Sequence, residues 1–325
     1  MLRGCCTNRA KTARINLLRE IAGIFFLAVQ PNHANILKML HIEKVSSFDQ
    51  PELAPYRTMR RSAEHEAQGI FIAEGEKVTR RLLESRFTVV SVVLPEKHLE
   101  SFRPLLAARP EDVTVYLAEK QLLETLVGYS LFQGVLSVGK IPPPAPLDDI
   151  LARSPRPQLL VTIDGLSNAE NLGAVVRNCV AFGVHGLIVG ETSSSPFLRR
   201  SVRNSMGTIF QLPVWEVKTA NAASRVRRDD PDKFSLAQTL HDLRARGIRC
   251  IAAHPHANGK TLSQANFSGD CCLVFGSEGH GISKTVLEAC DECVAIPMAN
   301  DVDSLNVGAA AAVLLYEANR QRGKS

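Results

Sequence analysis

The stretch Gln158-Leu-Leu-Val-Thr-Ile-Asp-Gly-Leu-Ser-Asn-Ala-Glu-Asn-Leu-Gly-Ala-Val-Val-Arg177 changes character once, at Asp164. Its first six residues form a largely apolar run of strand length, and a polar turn then leads into a helical pattern. In that helix Asn171 is placed to act as the cap, with Arg177 nearly two turns further in. On its own the segment reads equally as a capped helix with a surface arginine. A strand that hands a polar loop to a helix start is, however, the repeating step of a parallel sheet covered on both faces. The step recurs downstream, with strand candidates at Gly186–Val189, Gln211–Val214, Arg249–Ala253, Cys271–Phe275 and Glu292–Ile296 separated by helical stretches. Residues 158–322 are therefore expected to form an α/β domain on a mainly parallel sheet.

Upstream, Ile141-Pro-Pro-Pro-Ala-Pro146 continues neither a helix nor a central strand, so a stiff linker is expected over 141–157. Before it, residues 55–140 read as a smaller α/β unit. A basic helix over Arg57–Gln68 is followed by a strand Ile70–Ala73, a helix from Glu76, strands Thr88–Leu94 and Val113–Leu117, a helix Glu119–Val127 and a strand Gly134–Val138. Residues 1–50 are expected to be an extension of uncertain structure. Arg3, Arg9, Lys11, Arg14 and Arg19 precede the first acidic residue, Glu20, and an apolar run Ile21–Val29 follows. That run is too short to span a bilayer as a helix. The order of basic and apolar segments is that of a signal peptide, and the acid-poor character that of an organellar transit peptide, but no small-residue cleavage site follows. A cytoplasmic protein is expected, or an organellar one if residues 1–45 are a transit peptide. The polar, mixed-charge segment Thr219–Phe234 reads as a surface insertion.

Composition bounds the rest. At 325 residues the chain exceeds one average domain, and 45% hydrophobic with 22% charged residues excludes wholesale disorder and a multi-span membrane protein. The net charge, 38 − 33 = +5, permits a polyanionic partner without establishing one. The eight cysteines lack the paired spacing of a disulfide framework, which fits a reducing compartment. Cys290-x-x-Cys293 resembles half a zinc site, but adjacent Cys271 and Cys272 do not supply a matching half, and His254-Pro-His256 lacks spaced carboxylate or thiolate companions. No metal is expected.

Two further loops follow strand candidates, where open α/β sheets place ligands. In Phe275-Gly-Ser-Glu-Gly-His-Gly-Ile282 the glycines let the backbone turn sharply and approach a ligand, but their order is G-x-x-G-x-G and not the dinucleotide-binding G-x-G-x-x-G. Ile296-Pro-Met-Ala-Asn-Asp-Val-Asp-Ser-Leu-Asn306 leads into a helix over Val307–Arg320, with Asp303 or Ser304 as the candidate cap and Ala309–Ala312 as a small face suited to close packing.

Taken in order, the three loops resemble the signature motifs of the SpoU/TrmH family of RNA ribose 2′-O-methyltransferases, a branch of the SPOUT superfamily. Asn171 and Arg177 match the first motif, Gly276-Ser-Glu-Gly279 the second, and Ile296-Pro-Met298 with Ser304-Leu-Asn306 the third; Ser205-Met-Gly-Thr and Leu314-Leu-Tyr-Glu also look like family sequence. Less specifically, Ala73-Glu-Gly-Glu-Lys-Val78 and Gln133-Gly-Val-Leu136 resemble the ribosomal-protein-like RNA-binding module of members that act on ribosomal RNA.

The resemblance implies an α/β fold with a deep trefoil knot in the catalytic domain, a homodimer that assembles the active site, and S-adenosylmethionine as cofactor. It implies cofactor contacts from Gly276, Ser277, Gly279, Ile296, Met298, Ser304 and Leu305, and catalytic roles for Arg177, Asn171, Glu278, Ser304 and Asn306. The expected partner is RNA, ribosomal over transfer RNA, with no membrane. In the family the arginine matching Arg177 is held to activate the hydroxyl. A guanidinium with a pKa above about 12 is a poor base, so Arg177 is expected instead to bind phosphate and stabilise the developing alkoxide. Two basic groups, Arg57, Arg60 and Arg61, and Arg199, Arg200 and Arg203, are candidates to guide RNA, with solvated faces as the plain alternative. The rivals are a catalytically inactive RNA-binding SPOUT protein and a nucleotide-binding dehydrogenase, the latter weakened by the absent fingerprint.

Overall fold

A computed structural model of the chain describes residues 40–127, 134–217, 235–255, 260–300 and 302–323. The basic leader, its apolar run and the whole of the 219–234 insertion lie outside the described residues.

Two sheets organise the chain. The first holds β1 (His41–Val45), β2 (Ile70–Glu74), β3 (Val89–Leu94), β4 (Thr114–Ala118) and β5 (Leu136–Lys140) in the order β1-β4-β3-β5-β2, with β5 antiparallel to both its neighbours. The second holds β6 (Leu159–Ile163), β7 (Gly186–Val189), β8 (Val214–Glu216), β9 (Arg249–Ala253), β10 (Lys260–Thr261), β11 (Cys271–Phe275) and β12 (Glu292–Ala295) in the order β10-β12-β9-β11-β6-β7-β8, with every pair parallel.

Every residue of β6 and β11 is buried, as central parallel strands require. Their side chains alternate between two cores. Leu159, Val161, Ile163, Leu273 and Phe275 meet Leu172, Val175 and Leu314 on one face. Leu160, Cys272 and Val274 meet Leu240, Leu243 and Val286 on the other.

Four expectations need correction. The extension stops short of residue 50, because His41–Val45 pairs in parallel with Thr114–Ala118 at the edge of the first sheet; three polar or charged residues in this half-exposed strand hid its pattern. The linker is partly helical. Leu147–Arg153 follows Pro146 with Asp148 and Asp149 in its first turn and Arg153 in its last, which complements the helix dipole, and it buries Ile150 and Leu151. The single helix over 57–68 is broken into Ala54–Arg57 and Ser62–Ala67, since the Thr58 hydroxyl bonds back to the Ala54 carbonyl and the Arg61 amide to Thr58. Finally, Thr208–Gln211 is a 3₁₀ turn entered through left-handed Gly207, so the strand begins at Val214 and not at Gln211.

The two sheets share one core. Phe71 and Phe87 of the first unit pack on Phe197 and Phe210 of the second, with ring centroids 5.3–5.9 Å apart. Gly139 makes room, since a Cβ there would stand 2.4 Å from the Phe71 ring. Charged groups close the seam. The Glu74 carboxylate, 4% exposed, accepts from Arg199 and, at 2.9 Å, from Arg203, both on the helix Arg199–Asn204. Arg81 donates to the Met206 carbonyl at 2.7 Å.

Candidate active site

The three loops leave the C-terminal ends of β6, β11 and β12, and the helices that follow hold them together. The helix Ala169–Ala181 is capped by Asn168, whose side chain accepts from the amides of Glu170 and Asn171. This corrects the assignment of the cap to Asn171 and releases the Asn171 carboxamide for other bonds. It donates to Glu278 of the second loop and accepts from the Asn306 side chain of the third at 3.0 Å. Asn306 in turn caps the helix Val307–Gln321 by accepting from the Gly308 amide at 2.9 Å, a role expected of Asp303 or Ser304. One carboxamide thus joins three loops that are far apart in sequence. Asn178, two turns along the first helix, donates to the Gly308 carbonyl at 2.7 Å and holds the two helices in register.

The glycine loop folds on itself. Ser277 and Gly281 exchange backbone hydrogen bonds of 3.0 Å, with Gly281 in the left-handed region. A Cβ on Gly276 would lie 2.1–2.3 Å from the Gly281 and Ile282 backbone. Asp164, buried at the end of β6, accepts from the Ser283 amide at 2.7 Å and gives its own amide to the Phe275 carbonyl. Nothing in its spacing singled it out.

A cavity of about 530 Å³ opens here. Gly276, Ser277, Gly279, Ile296, Met298, Ser304 and Leu305, the seven candidate cofactor contacts, all line it, with Glu278 and Asn306. Sequence reading missed His254 at the end of β9, His280 and Asp303, which also line it. Apolar walls beside glycine backbone suit a flat heterocycle that hydrogen-bonds to main-chain groups, and the volume lies within the range of cofactor sites.

Arg177 does not join this group. It is exposed and absent from the lining, because six residues of helix turn it roughly 120° away from Asn171. The six candidate RNA-guiding arginines also separate. Arg57 donates to the Phe48 carbonyl, Arg61 to Glu64, and Arg199 and Arg203 to Glu74. Arg199 and Arg203 therefore clamp the seam and do not form a free basic face with Arg200. Among the described residues no group of three or more His, Cys, Asp or Glu side chains is placed to hold a metal. Burial pushes the Cys290 thiol up to about 12. No described helix is long and apolar enough to cross a membrane.

A profile of the SpoU rRNA Methylase family matches residues 158–230 and 232–316. An uncharacterised tRNA/rRNA methyltransferase of Mycobacterium tuberculosis is 30% identical over 289 residues, 86% of this chain and 93% of the relative. The fold is shared with an AdoMet-bound rRNA methyltransferase from Sinorhizobium meliloti (TM-score 0.71, 22% identity, 86% of this chain and 98% of that one). A solved RNA 2′-O ribose methyltransferase gives a TM-score of 0.68 at 25% identity, over 86% of this chain and 99% of that one. With its three loops joined by hydrogen bonds and a relative matched over nearly its full length, this chain belongs to the SpoU rRNA methylase family.

Proposed function

We propose that the protein methylates a ribose 2′-hydroxyl of structured RNA with S-adenosylmethionine as donor, and that its substrate is ribosomal in preference to transfer RNA. The observation that carries this reading is that Glu278 and Asn306, which line the 530 Å³ cavity, are both held by the Asn171 carboxamide of the first loop. Family membership and the activity of the 25% identical RNA 2′-O ribose methyltransferase support the reaction. The preference for ribosomal RNA rests on the likeness of residues 55–140 to a ribosomal-protein module, which we assign to RNA binding.

The cofactor supplies a methyl sulfonium whose positive charge disappears as the methyl group leaves. Of the residues lining the cavity, Gly276 and Gly279 would offer backbone groups to it, Ile296, Met298 and Leu305 would supply apolar contact, and Ser277 and Ser304 polar contact. Asn171 orders Glu278 and Asn306, so their positions are set before substrate arrives and little reorganisation accompanies the reaction. The hydroxyl oxygen bonds to the methyl carbon as the methyl–sulfur bond breaks to leave a neutral thioether, and the hydroxyl proton passes to solvent water. Arg177 holds the RNA phosphate and stabilises the alkoxide, which needs no deprotonated guanidinium.

Because Arg177 lies away from the cavity of its own chain, the complete site takes Arg177 from a second copy. Exposed Val302, Leu305, Val313 and Tyr316, all on the third loop and its helix, supply an apolar face for such a homodimer. The deep knot belongs to the same proposal. Strands β11 and β12 lie between strands laid down earlier in the chain, the positions a threaded segment would take up.

Calorimetric titration with S-adenosylmethionine and transfer of labelled methyl to total RNA test the reading. The label is expected in alkali-resistant dinucleotides, the mark of a blocked 2′-hydroxyl. RNA binding without label would leave an inactive binding protein. Mixing Arg177→Ala with Asn306→Ala chains tests the shared site, with activity expected from the mixture and from neither alone.

A further inference from the structure

The seam between the two sheets carries a second cavity, a cleft of about 800 Å³. One wall comes from the first unit, with Arg60, His65 and Glu66 around the helix Ser62–Ala67, and the other from the second, with Asn168, Glu170 and Arg200. Arg60 and Arg200, members of two separate basic groups in the sequence, are exposed and face one cleft from different domains. Asn168 and Glu170 belong to the same helix start as Asn171, so one short segment lines the cleft and bonds to Glu278 and Asn306 of the cofactor cavity.

Resting on the reading of the chain as an RNA-modifying enzyme, we propose that this cleft is a second RNA subsite, which holds the strand next to the target nucleotide. Arg60 and Arg200 each pair with a backbone phosphate, and a guanidinium fork matches phosphate geometry. Glu66 and Glu170 repel phosphate and accept hydrogen bonds from base N–H groups, so the strand lies with its backbone at the arginines and a base edge at the carboxylates. The cleft is built before RNA arrives. Glu74 ties Arg199 and Arg203 across the seam, and the four phenylalanines fill the space behind, so the two walls keep a set separation. Glu74 acts through this clamp as a positioning residue and does not touch RNA.

The test uses the full chain, a short fluorescein-labelled single-stranded oligoribonucleotide of mixed sequence, and titrations across a range of salt. Arg60→Gln with Arg200→Gln is expected to weaken binding by about tenfold per arginine. It should also flatten the slope of log affinity against log salt by about 1.4, the value for two lost single-strand phosphate contacts. Affinity for S-adenosylmethionine should stay at the wild-type value, which shows that the variant folds. Arg103→Gln with Arg153→Gln removes the same charge at exposed positions outside the cleft and is the matched control, expected to leave both affinity and slope near wild type. Glu74→Gln separates geometry from charge. It removes a negative charge, so an attraction set by net charge alone would strengthen RNA binding, whereas release of the clamp weakens it.

The proposal is overturned if the cleft variant keeps the wild-type slope, if the control loses as much as the cleft variant, or if Glu74→Gln tightens binding. Failure of the methylation reading is distinguishable. It appears as absent methyl transfer by the wild type, while the oligonucleotide titration still reports on the cleft.

Discussion

The cofactor cavity and the interdomain cleft are linked through one helix start but are made of different groups. The cavity is lined by glycine backbone, apolar side chains, and Glu278 and Asn306, which the Asn171 carboxamide ties together. The cleft is lined by arginines and carboxylates from two domains, held apart by a buried glutamate. The difference teaches how each ligand class is recognised. A compact heterocycle is selected by close backbone approach, which tolerates no extra atom, whereas a polyanion is held by long charged side chains whose spacing depends on how two bodies dock.

The hardest blow to this contrast would come from Gly276→Ala. Its Cβ would meet backbone at 2.1 Å with no flexible atom to move, a strain at the upper end of the roughly 1–3 kcal/mol typical of overpacking. S-Adenosylmethionine affinity should fall about a hundredfold while oligonucleotide binding holds. Equal loss at both sites would show that they are one unit. Asn171→Ala comes next, removing a bond to a carboxylate worth about 1.5–3 kcal/mol. Its turnover should drop tenfold or more with a smaller change in cofactor affinity; an unchanged kcat would remove Asn171 from the centre of the site.

Gly173→Ala probes the helix whose start carries Asn168, Glu170 and Asn171. A Cβ there would stand 2.6 Å from the Ser201 carbonyl and from Asn204, so the helix bearing Asn171 would shift off the helix bearing Arg199. A loss of about 1–2 kcal/mol is expected as a lowered Tm, with both ligands weakened modestly.

The smallest effect concerns pH at the cleft. Burial lowers the pKa of His65. Below the ordinary histidine value of about 6.5 the unfolded chain takes up a proton that folded His65 resists, so this group makes stability decline as pH falls through that value. His65→Gln should flatten the decline, and a Tm-against-pH profile with the wild-type slope would contradict it.

Much of the cavity was legible because short-range rules govern it. Gly276-Ser-Glu-Gly279 announces a turn that needs missing side chains, and apolar runs of five residues announce buried strands. The errors were equally physical. Asn168 and Asn171 are chemically identical cap candidates, and only the loop geometry chose between them. Proline at 142–144 and 146 masked the helix Leu147–Arg153, although the Asp148–Asp149 pair was a start signal. His41–Val45 has too little apolar pattern to be a strand by itself, and becomes one only beside β4.

By itself the sequence determined the alternation of strands and helices, the parallel second sheet and the identity of the three loops, since each depends on periodicity or on residues a few positions apart. Only tertiary structure decided that Asn171 meets Asn306, 135 residues away, that Arg199 and Arg203 are committed to Glu74, and that Arg60 and Arg200 share a cleft. The physical reason is that a charged side chain carries no record of its partner. Whether an arginine faces solvent, phosphate or a buried carboxylate is settled by the packing that brings distant segments together.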